Sequence, residues 1–502
     1  MLQQNQNNNM THSLFWHDYE TTGIHPQKDR PLQFAGIRTD LDFNVIGEPI
    51  SIFCKLSLDI LPHPEACLIT KTTPQSANEQ GVNEAEFVRL IHEQLAQPHT
   101  CSLGYNSIRF DDEMTRHSLY RNFYDAYERE WQHGNSRWDL LDVFRAAQAL
   151  RPDGFNWVYD DAKKPIFRLD QLTVANNIPH GNAHDALADV YATLSLAHLL
   201  RRAQPRLFQF LFEHRPKAQA LKLLAVGTGT PLIHISGMYP ATKNCLAIVL
   251  PLCVHPTNAN EVIVYDLSVD PTPLLTLSAE EIQQRLFVAT ENLPENVTRI
   301  PLKTVHINKC PVLAPMSVLR TEDVLRLGID VELCLKNGAL LSNALKHIPP
   351  APLQRGAIFM DKIAAVFNKS YADSATQVNV DLALYSGGFF SAVDKKAMTQ
   401  IRNTAPENLA TLSFKYDDAR LPEMLFRYRA RNFPNTLTGE EWQKWREFCV
   451  FQLQHSETGA NILLNDYLQR IQTLQAQGAD ASITKALLDY ANEKMQQLDI
   501  KL

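Results

Sequence analysis

The spacing of apolar residues changes period along the chain. Residues 13–20 (SLFWHDYE) place aromatic and apolar side chains on both faces of a strand. QFAGIRTD (33–40) and FNVIGEPISIFCKL (43–56) read as two strands around a short polar turn, and TCSLGYN (100–106) as another short strand. Between and after these the period becomes helical. Asn83 with Glu86 predicts a capping box for a helix through Phe87, Leu90 and Leu95. Further helices are expected from about Asp111, over 138–150 and 168–177, and through HDALADVYATLSLAHLLRRAQ to about 204. Strands followed by helices that alternate with a strand predict an α/β layer domain of about 200 residues.

The pattern shifts after Gln204-Pro205. CLAIVLPLCVHP (245–256), EVIVYDLS (261–268) and TRIPLKTVHINK (298–309) are β-rich, with helical stretches at 279–287 and 321–347, so a small barrel or sheet with helical insertions is expected. From about 356 onward the pattern is helical, and the Pro-rich IPPAPLQRG (348–356) reads as a linker. The expected organisation is a tail over 1–11, an α/β domain over 12–204, a β-rich domain over 205–355 and an all-α domain over 356–502.

Composition narrows the class. At 502 residues the chain exceeds one ordinary core. The Gln/Asn-rich start lacks the basic and apolar regions of a signal peptide, and no apolar run reaches the roughly 18 residues of a membrane span. The eight cysteines include no CxxC pair, which fits neither a zinc site nor a secreted disulfide framework and points to the cytoplasm. A net charge of −7 describes the average surface and leaves room for a basic groove.

Three acidic spots then stand out. Side chains two apart on a strand share a face, so Asp18 and Glu20 project together while Phe15, His17 and Tyr19 project oppositely. Two carboxylates so close repel unless a cation lies between them. Asp111 follows the strand at 100–106, at a helix start, where an acid also serves as cap and dipole partner. Asp189 lies in a helix whose apolar residues cover nearly every face, which predicts burial and demands a partner, an arginine or a metal. His184 precedes it by five positions, at the helix entry. Each spot alone has a bland structural account; their recurrence within one α/β unit favours a shared site.

That order and spacing resembles the DEDD superfamily of 3′→5′ exonucleases, in the subtype with a histidine before the last aspartate. The resemblance extends through HDYETTGIHPQKDRPLQFAGIRTD, LGYNSIRFDDE, GNSRWDLLDV, NIPHGNAHDALADVYAT, VHINKCPVLAP and YRARNFP to the bacterial exodeoxyribonuclease I family. It implies an RNase H-like exonuclease domain with a mixed sheet flanked by helices, an SH3-like β-rich domain and an all-α C-terminal domain. It also implies 3′→5′ release of 5′-mononucleotides from single-stranded DNA in repair or recombination. Asp18, Glu20, Asp111 and Asp189 would hold two Mg²⁺ ions, with Mn²⁺ also suited to an all-oxygen site, and His184 would be the general base. Asp111 is chosen over Asp112 and Glu113 because the family's acid directly follows Phe110 of the motif.

Single-strand binders combine aromatic platforms with basic side chains. Arg116, Tyr127 and Trp131, in RHSLYRNFYDAYEREWQ, are candidate DNA contacts, with Arg145 and Arg168, and Glu20 is also placed against substrate. Arg427, Arg429 and Arg431 in LFRYRARNFP are candidates for a DNA channel. The resemblance further implies a partner, the acidic C-terminal tail of the single-stranded DNA-binding protein, and a monomer without membrane association. YSGGFFS (385–391) carries one glycine more than the family pattern leads us to expect. Rival readings are an inactive single-strand-binding adaptor and a relative acting on RNA 3′ ends.

Overall fold

The computed structural model describes residues 12–181, 185–346, 355–368 and 379–501. Packing gathers the described residues into two units. The first draws on Met1–Arg137, Pro179–Ser195 and Ala375–Leu502, the second on Trp138–Ile178 and Leu196–Ser374.

A five-stranded sheet organises the α/β region. Its strands are β1 (Ser13–Thr21), β2 (Pro31–Thr39), β3 (Ile50–Phe53), β4 (Thr100–Gly104) and β5 (Ser136–Asp139), in the order β3-β2-β1-β4-β5. β1 is central, antiparallel to β2 and parallel to β4. Phe15, His17 and Tyr19 share one face, where Phe34 of β2 lies 6.3 Å from the Phe15 ring and 4.7 Å from that of Tyr19. The apolar positions of two helices close over Phe15, Tyr19 and Phe34: Phe87, Val88, Ile91 and Leu95, and then Met114 and Leu119. Gly36 sits opposite His17, and a Cβ there would come within 2.5 Å of the Phe15 ring. The aromatic face of β1 thus requires a glycine on its neighbour.

The helices of this region are α1 (Pro64–Thr70), α2 (Pro74–Gln80), α3 (Glu84–Leu95) and α4 (Asp111–Arg121). Asn83 caps α3 through the Glu86 N–H, as expected, but the reciprocal arm of the capping box is not made. The Glu86 carboxylate turns to Arg89 instead, at 2.7 Å. The chain continues through α5 (Leu140–Leu150), α6 (Leu169–Ala175) and α7 (Ala186–Ala203).

The C-terminal helices complete the core of the first unit. Trp445, Tyr467, Leu487 and Tyr490 pack with Leu32, Leu61 and Cys67 of the α/β region. A second shared core joins Tyr120 and Phe123 to Met398, Ile401, Leu421 and Met424. Buried charges reinforce this seam. Arg431 contacts Asp59 at 2.8 Å and Asp381 at 2.6 Å, and Arg427 reaches Asp381 at 2.7 Å. Burial alone would raise the Asp59 carboxyl, but the Arg431 and Arg30 guanidiniums outweigh it and hold it down at about 2.

The second unit holds a ribbon, β6 (Val158–Tyr159) with β7 (Pro165–Ile166), and a sheet in the order β11-β10-β9-β8-β12. That sheet comprises β8 (Leu232–Ile235), β9 (Leu246–Val254), β10 (Glu261–Asp266), β11 (Leu302–His306) and β12 (Val312–Pro315), with every pairing antiparallel. Ile248, Leu250 and Ile263 face one apolar core, while Val249, Val262 and Val264 face the other. The alternation that predicted strands here is therefore two-sided burial. β5, β8 and β12 escaped the sequence reading: β5 leads into a segment read as helix from 138, and β8 and β12 fall in stretches given no element. One expectation needs correction. α7 is not buried all round, since Tyr191 is 42% exposed and Asp189 only half-buried in its first turn. Among the described residues no helix is long and apolar enough to cross a membrane.

Removing Arg431 strands the buried Asp59 and leaves the buried Asp381 with Arg427 alone. Arg431→Ala is expected to destabilise the first unit by about 3–5 kcal/mol, read as a lower denaturant midpoint. Arg89→Ala, which removes a solvent-facing pair on α3, should cost at most about 1 kcal/mol in the same titration.

Candidate active site

The site is built on the face of β1 opposite its aromatic side. Asp18 stands across from Ala35 and Glu20 from Gln33, and the register with β2 slips between Glu20 and Thr21. Such irregularities bend a strand and re-aim its side chains, and they recur beside active sites. Asp189, from the first turn of α7, joins the pair: one carboxylate oxygen each of Asp18, Glu20 and Asp189 lie within 4.8 Å of one another. The entry to α7 is tied to the sheet beside them, where the Gln33 amide donates to Asp185 at 3.1 Å.

The electrostatics of this trio are unfavourable as they stand. Among the described residues no lysine or arginine forms an ion pair with Asp18 or Glu20. Burial, and then the Asp189 carboxylate, push the Asp18 carboxyl well above its usual range. Glu20 is driven up to about 9, first by burial and then by Asp18, Asp189 and Asp185. Three oxygen donors that repel one another, two of them without a basic partner among the described residues, form a site that can hold a divalent ion.

Asp111 opens α4 and stands outside that trio. Its Oδ1 accepts the Tyr19 backbone N–H at 3.1 Å, which docks the acid on β1 between Asp18 and Glu20 in sequence. Its two neighbours are committed elsewhere. Asp112 is buried and held by Arg129 at 2.6 Å and Arg137 at 2.9 Å, which keep its carboxyl well below the ordinary range against the upward push of burial. Glu113 binds Arg116 at 2.8 Å and accepts from the Tyr385 hydroxyl. This division of labour supports the choice of Asp111 among three consecutive acids.

His17 is excluded from the acidic face. Its ring is buried against Phe15, Tyr19 and Phe34, and burial lowers it to about 4, so it is neutral near pH 7. His184 lies outside the described residues. A different histidine, His180, reaches the acids: its Nε2 lies 2.6 Å from Asp189 Oδ1. Sequence reasoning passed over His180, whose only signal was its place in PHGNAHD, four positions before the histidine of the motif.

The candidate DNA contacts fall into three kinds. Trp131 is 64% exposed, and Arg168, beside Asp170 at 2.9 Å, projects from the surface of the second unit. Arg116 is buried and bound to Glu130 at 2.7 Å, with its guanidinium 5.2 Å from the Tyr127 ring centroid. Arg145 is half-buried and pairs with Asp142 at 2.5 Å. Arg427, Arg429 and Arg431 differ from the channel expectation. Arg427 and Arg431 share Asp381, Arg429 binds Glu441 at 2.5 Å, and the Arg431 side chain is only 4% exposed. Their basic–aromatic texture in the sequence reflects buried ion pairing within the first unit.

Comparison with known proteins places these observations in a family. Residues 15–197 match the model of an exonuclease domain, 215–355 that of the exonuclease I SH3-like domain, and 378–494 that of the exonuclease I C-terminal domain. The chain is 47% identical to exodeoxyribonuclease I of Escherichia coli K12 over 485 residues, 96% of this chain and 98% of the relative. Among solved structures it is similar to exonuclease I from Methylocaldum szegediense (TM-score 0.89, 49% identity, 96% of this chain and 100% of that one). It matches E. coli exonuclease I in complex with a dA16 oligonucleotide equally well (TM-score 0.89, 46% identity, 96% and 100%). With all three domains matched in order and near-complete coverage, the chain belongs to the exonuclease I family of exodeoxyribonucleases.

Proposed function

We propose that this chain degrades single-stranded DNA from its 3′ end to 5′-mononucleotides, at the face of β1 that carries Asp18 and Glu20. The observation that supports this most is the convergence of Asp18, Glu20 and Asp189, with no lysine or arginine paired to Asp18 or Glu20 among the described residues. That donor set fits hard divalent ions, which prefer oxygen and would neutralise the acids whose burial, and then mutual repulsion, drive Glu20 up to about 9. Asp18, Glu20, Asp189 and Asp111 would hold two Mg²⁺ ions, or Mn²⁺ in their place. When bound, such ions supply Lewis-acid stabilisation of charge on the phosphoryl group and ease deprotonation of the attacking water. Solved forms of the E. coli relative support the assignment: one is a zinc-bound complex with single-stranded DNA.

The protein groups divide the remaining work. β1 fixes two acids on one face, and the Tyr19 N–H orients Asp111 beside them. His184 accepts the proton of the attacking water, a task suited to an imidazole whose unperturbed pKa is close to neutrality. Trp131 and Arg168, both exposed, are assigned to the strand as stacking platform and phosphate partner, with Tyr127 and Arg145 at more sheltered positions. Arg116 is assigned to orienting Tyr127 and Glu113 through its buried ion pairs. The acidic tail of the single-stranded DNA-binding protein is the proposed partner, supported by a solved complex of that protein with exonuclease I, and the chain is proposed to act as a monomer.

Three measurements test the reading. Asp18→Ala and Asp189→Ala should abolish release of label from 3′-labelled single-stranded DNA while leaving DNA binding measurable. RNA and duplex should be poor substrates, and near-wild-type cleavage in either variant, or release in EDTA, would contradict the metal assignment. His184→Ala should lower turnover by as much as about 10⁴-fold, the upper range for a general base, and an unchanged rate would remove it from that role. The third test is thermodynamic. Glu20 keeps its proton in the metal-free native state up to about pH 9 but loses it near 4.5 when unfolded, so metal-free stability should fall as pH rises through that window. Metal binding would require the ionised carboxylate, so the rise in Tm on adding Mg²⁺ should grow from mildly acidic pH to about pH 9, and less steeply in Glu20→Gln, where only the raised Asp18 remains.

A further inference from the structure

The acids of the site differ in how they are held. Asp18 and Glu20 are fixed on β1 by its pairing with Ala35 and Gln33 of β2, and Asp111 by the Tyr19 N–H. Among the described residues no backbone group restrains the Asp189 carboxylate in this way. It stands in the first turn of α7, and the side-chain contact that fixes it comes from His180, nine residues earlier, with Nε2 2.6 Å from Oδ1. The His180 side chain is only 6% exposed, and that of Asp189 16%.

The chemistry of that contact has one sense. An ionised carboxylate only accepts, so the hydrogen lies on His180 Nε2 and the imidazole is the donor. One Asp189 oxygen is thereby engaged, and the other remains for a cation shared with Asp18 and Glu20. Nε2, engaged with Asp189, is not a nitrogen that can take a proton from water, and the role assigned to this histidine concerns this contact alone. Groups that hydrogen-bond a metal-ligating carboxylate set its rotamer before the ion arrives, and their loss typically costs 10–100-fold in metal affinity.

We infer that His180 is a positioning residue for the metal site, which holds Asp189 in the orientation that completes the acidic trio. The inference rests on the metal reading above. It predicts an effect on ion binding in the absence of DNA, before any catalytic step.

The test is Mn²⁺ binding to the DNA-free, full-length protein, followed by the loss of the free-ion electron paramagnetic resonance signal. His180→Ala is expected to weaken Mn²⁺ binding by about 10-fold or more. His180→Gln should restore affinity to near wild type, because the glutamine Nε2 can donate from a similar position. On an Asp189→Ala background, adding His180→Ala should weaken binding no further, since the contact it supports is already gone. Unchanged or tighter binding in His180→Ala, failure of glutamine to rescue a folded variant, or a full additional loss on the Asp189→Ala background would each overturn the inference. If His180→Ala does not fold, the comparison of His180→Gln with His180→Leu decides: the two should differ as donor and non-donor, and equal affinities refute the role. Absence of Mn²⁺ binding in the wild type would refute the metal reading itself, a separate outcome.

Discussion

Like charge on one strand face is the constraint from which the site follows. Asp18 and Glu20 share that face by the two-residue period of β1, and α7 adds a third carboxylate within 4.8 Å. Nothing in the described protein neutralises Asp18 or Glu20 with a basic side chain, so the native fold carries unfavourable electrostatics that a smaller core could not sustain. The surrounding structure therefore over-determines β1. It is the central strand, its opposite face is filled by aromatic rings, and Gly36 leaves the space those rings require. Strain of this kind is retained where a ligand later relieves it.

The C-terminal helices belong to that support. They pack Trp445, Tyr467 and Tyr490 against the segments that follow β1 and β2, and Asn461 donates to Asp29 at 3.0 Å and to the Leu61 carbonyl at 2.7 Å. Asp29 in turn accepts from Thr22 and His25 in the loop that leaves the catalytic strand. A helical region hundreds of residues away in sequence thus shapes the loop two residues beyond Glu20. The buried pairs of Arg431 and Arg427 with Asp59 and Asp381 specify how these segments meet, as buried charges do when each one has partners.

Much of this was legible from residue order because the periodicities are strong. The aromatic alternation of SLFWHDYE, the Asn83 cap and the long helix ending near 204 each carry local signals that tertiary packing reinforces. The acids were legible because carboxylates at apolar positions need a reason. What escaped was non-local or short. Four-residue strands such as β5, β8 and β12 are made by their neighbours rather than by their own pattern. The arginines of LFRYRARNFP looked like a nucleic-acid surface because sequence does not reveal that Asp59 and Asp381 fold over them. His180 was overshadowed by the motif histidine four positions later, since only the folded chain brings its ring to Asp189.

The first unit is threaded from widely separated stretches of chain, and its shared core includes residues as late as Leu487 and Leu498. A ribosome making this protein at about 5–20 residues per second takes on the order of half a minute to a minute and a half between β1 and that last helix. Throughout that interval Leu32, Leu61 and Cys67 lack the aromatic residues that cover them. The Asp29 loop likewise waits for Asn461. A chain cut short before these helices therefore leaves Leu32, Leu61 and Cys67 uncovered and the loop after the acidic strand without its Asn461 tie.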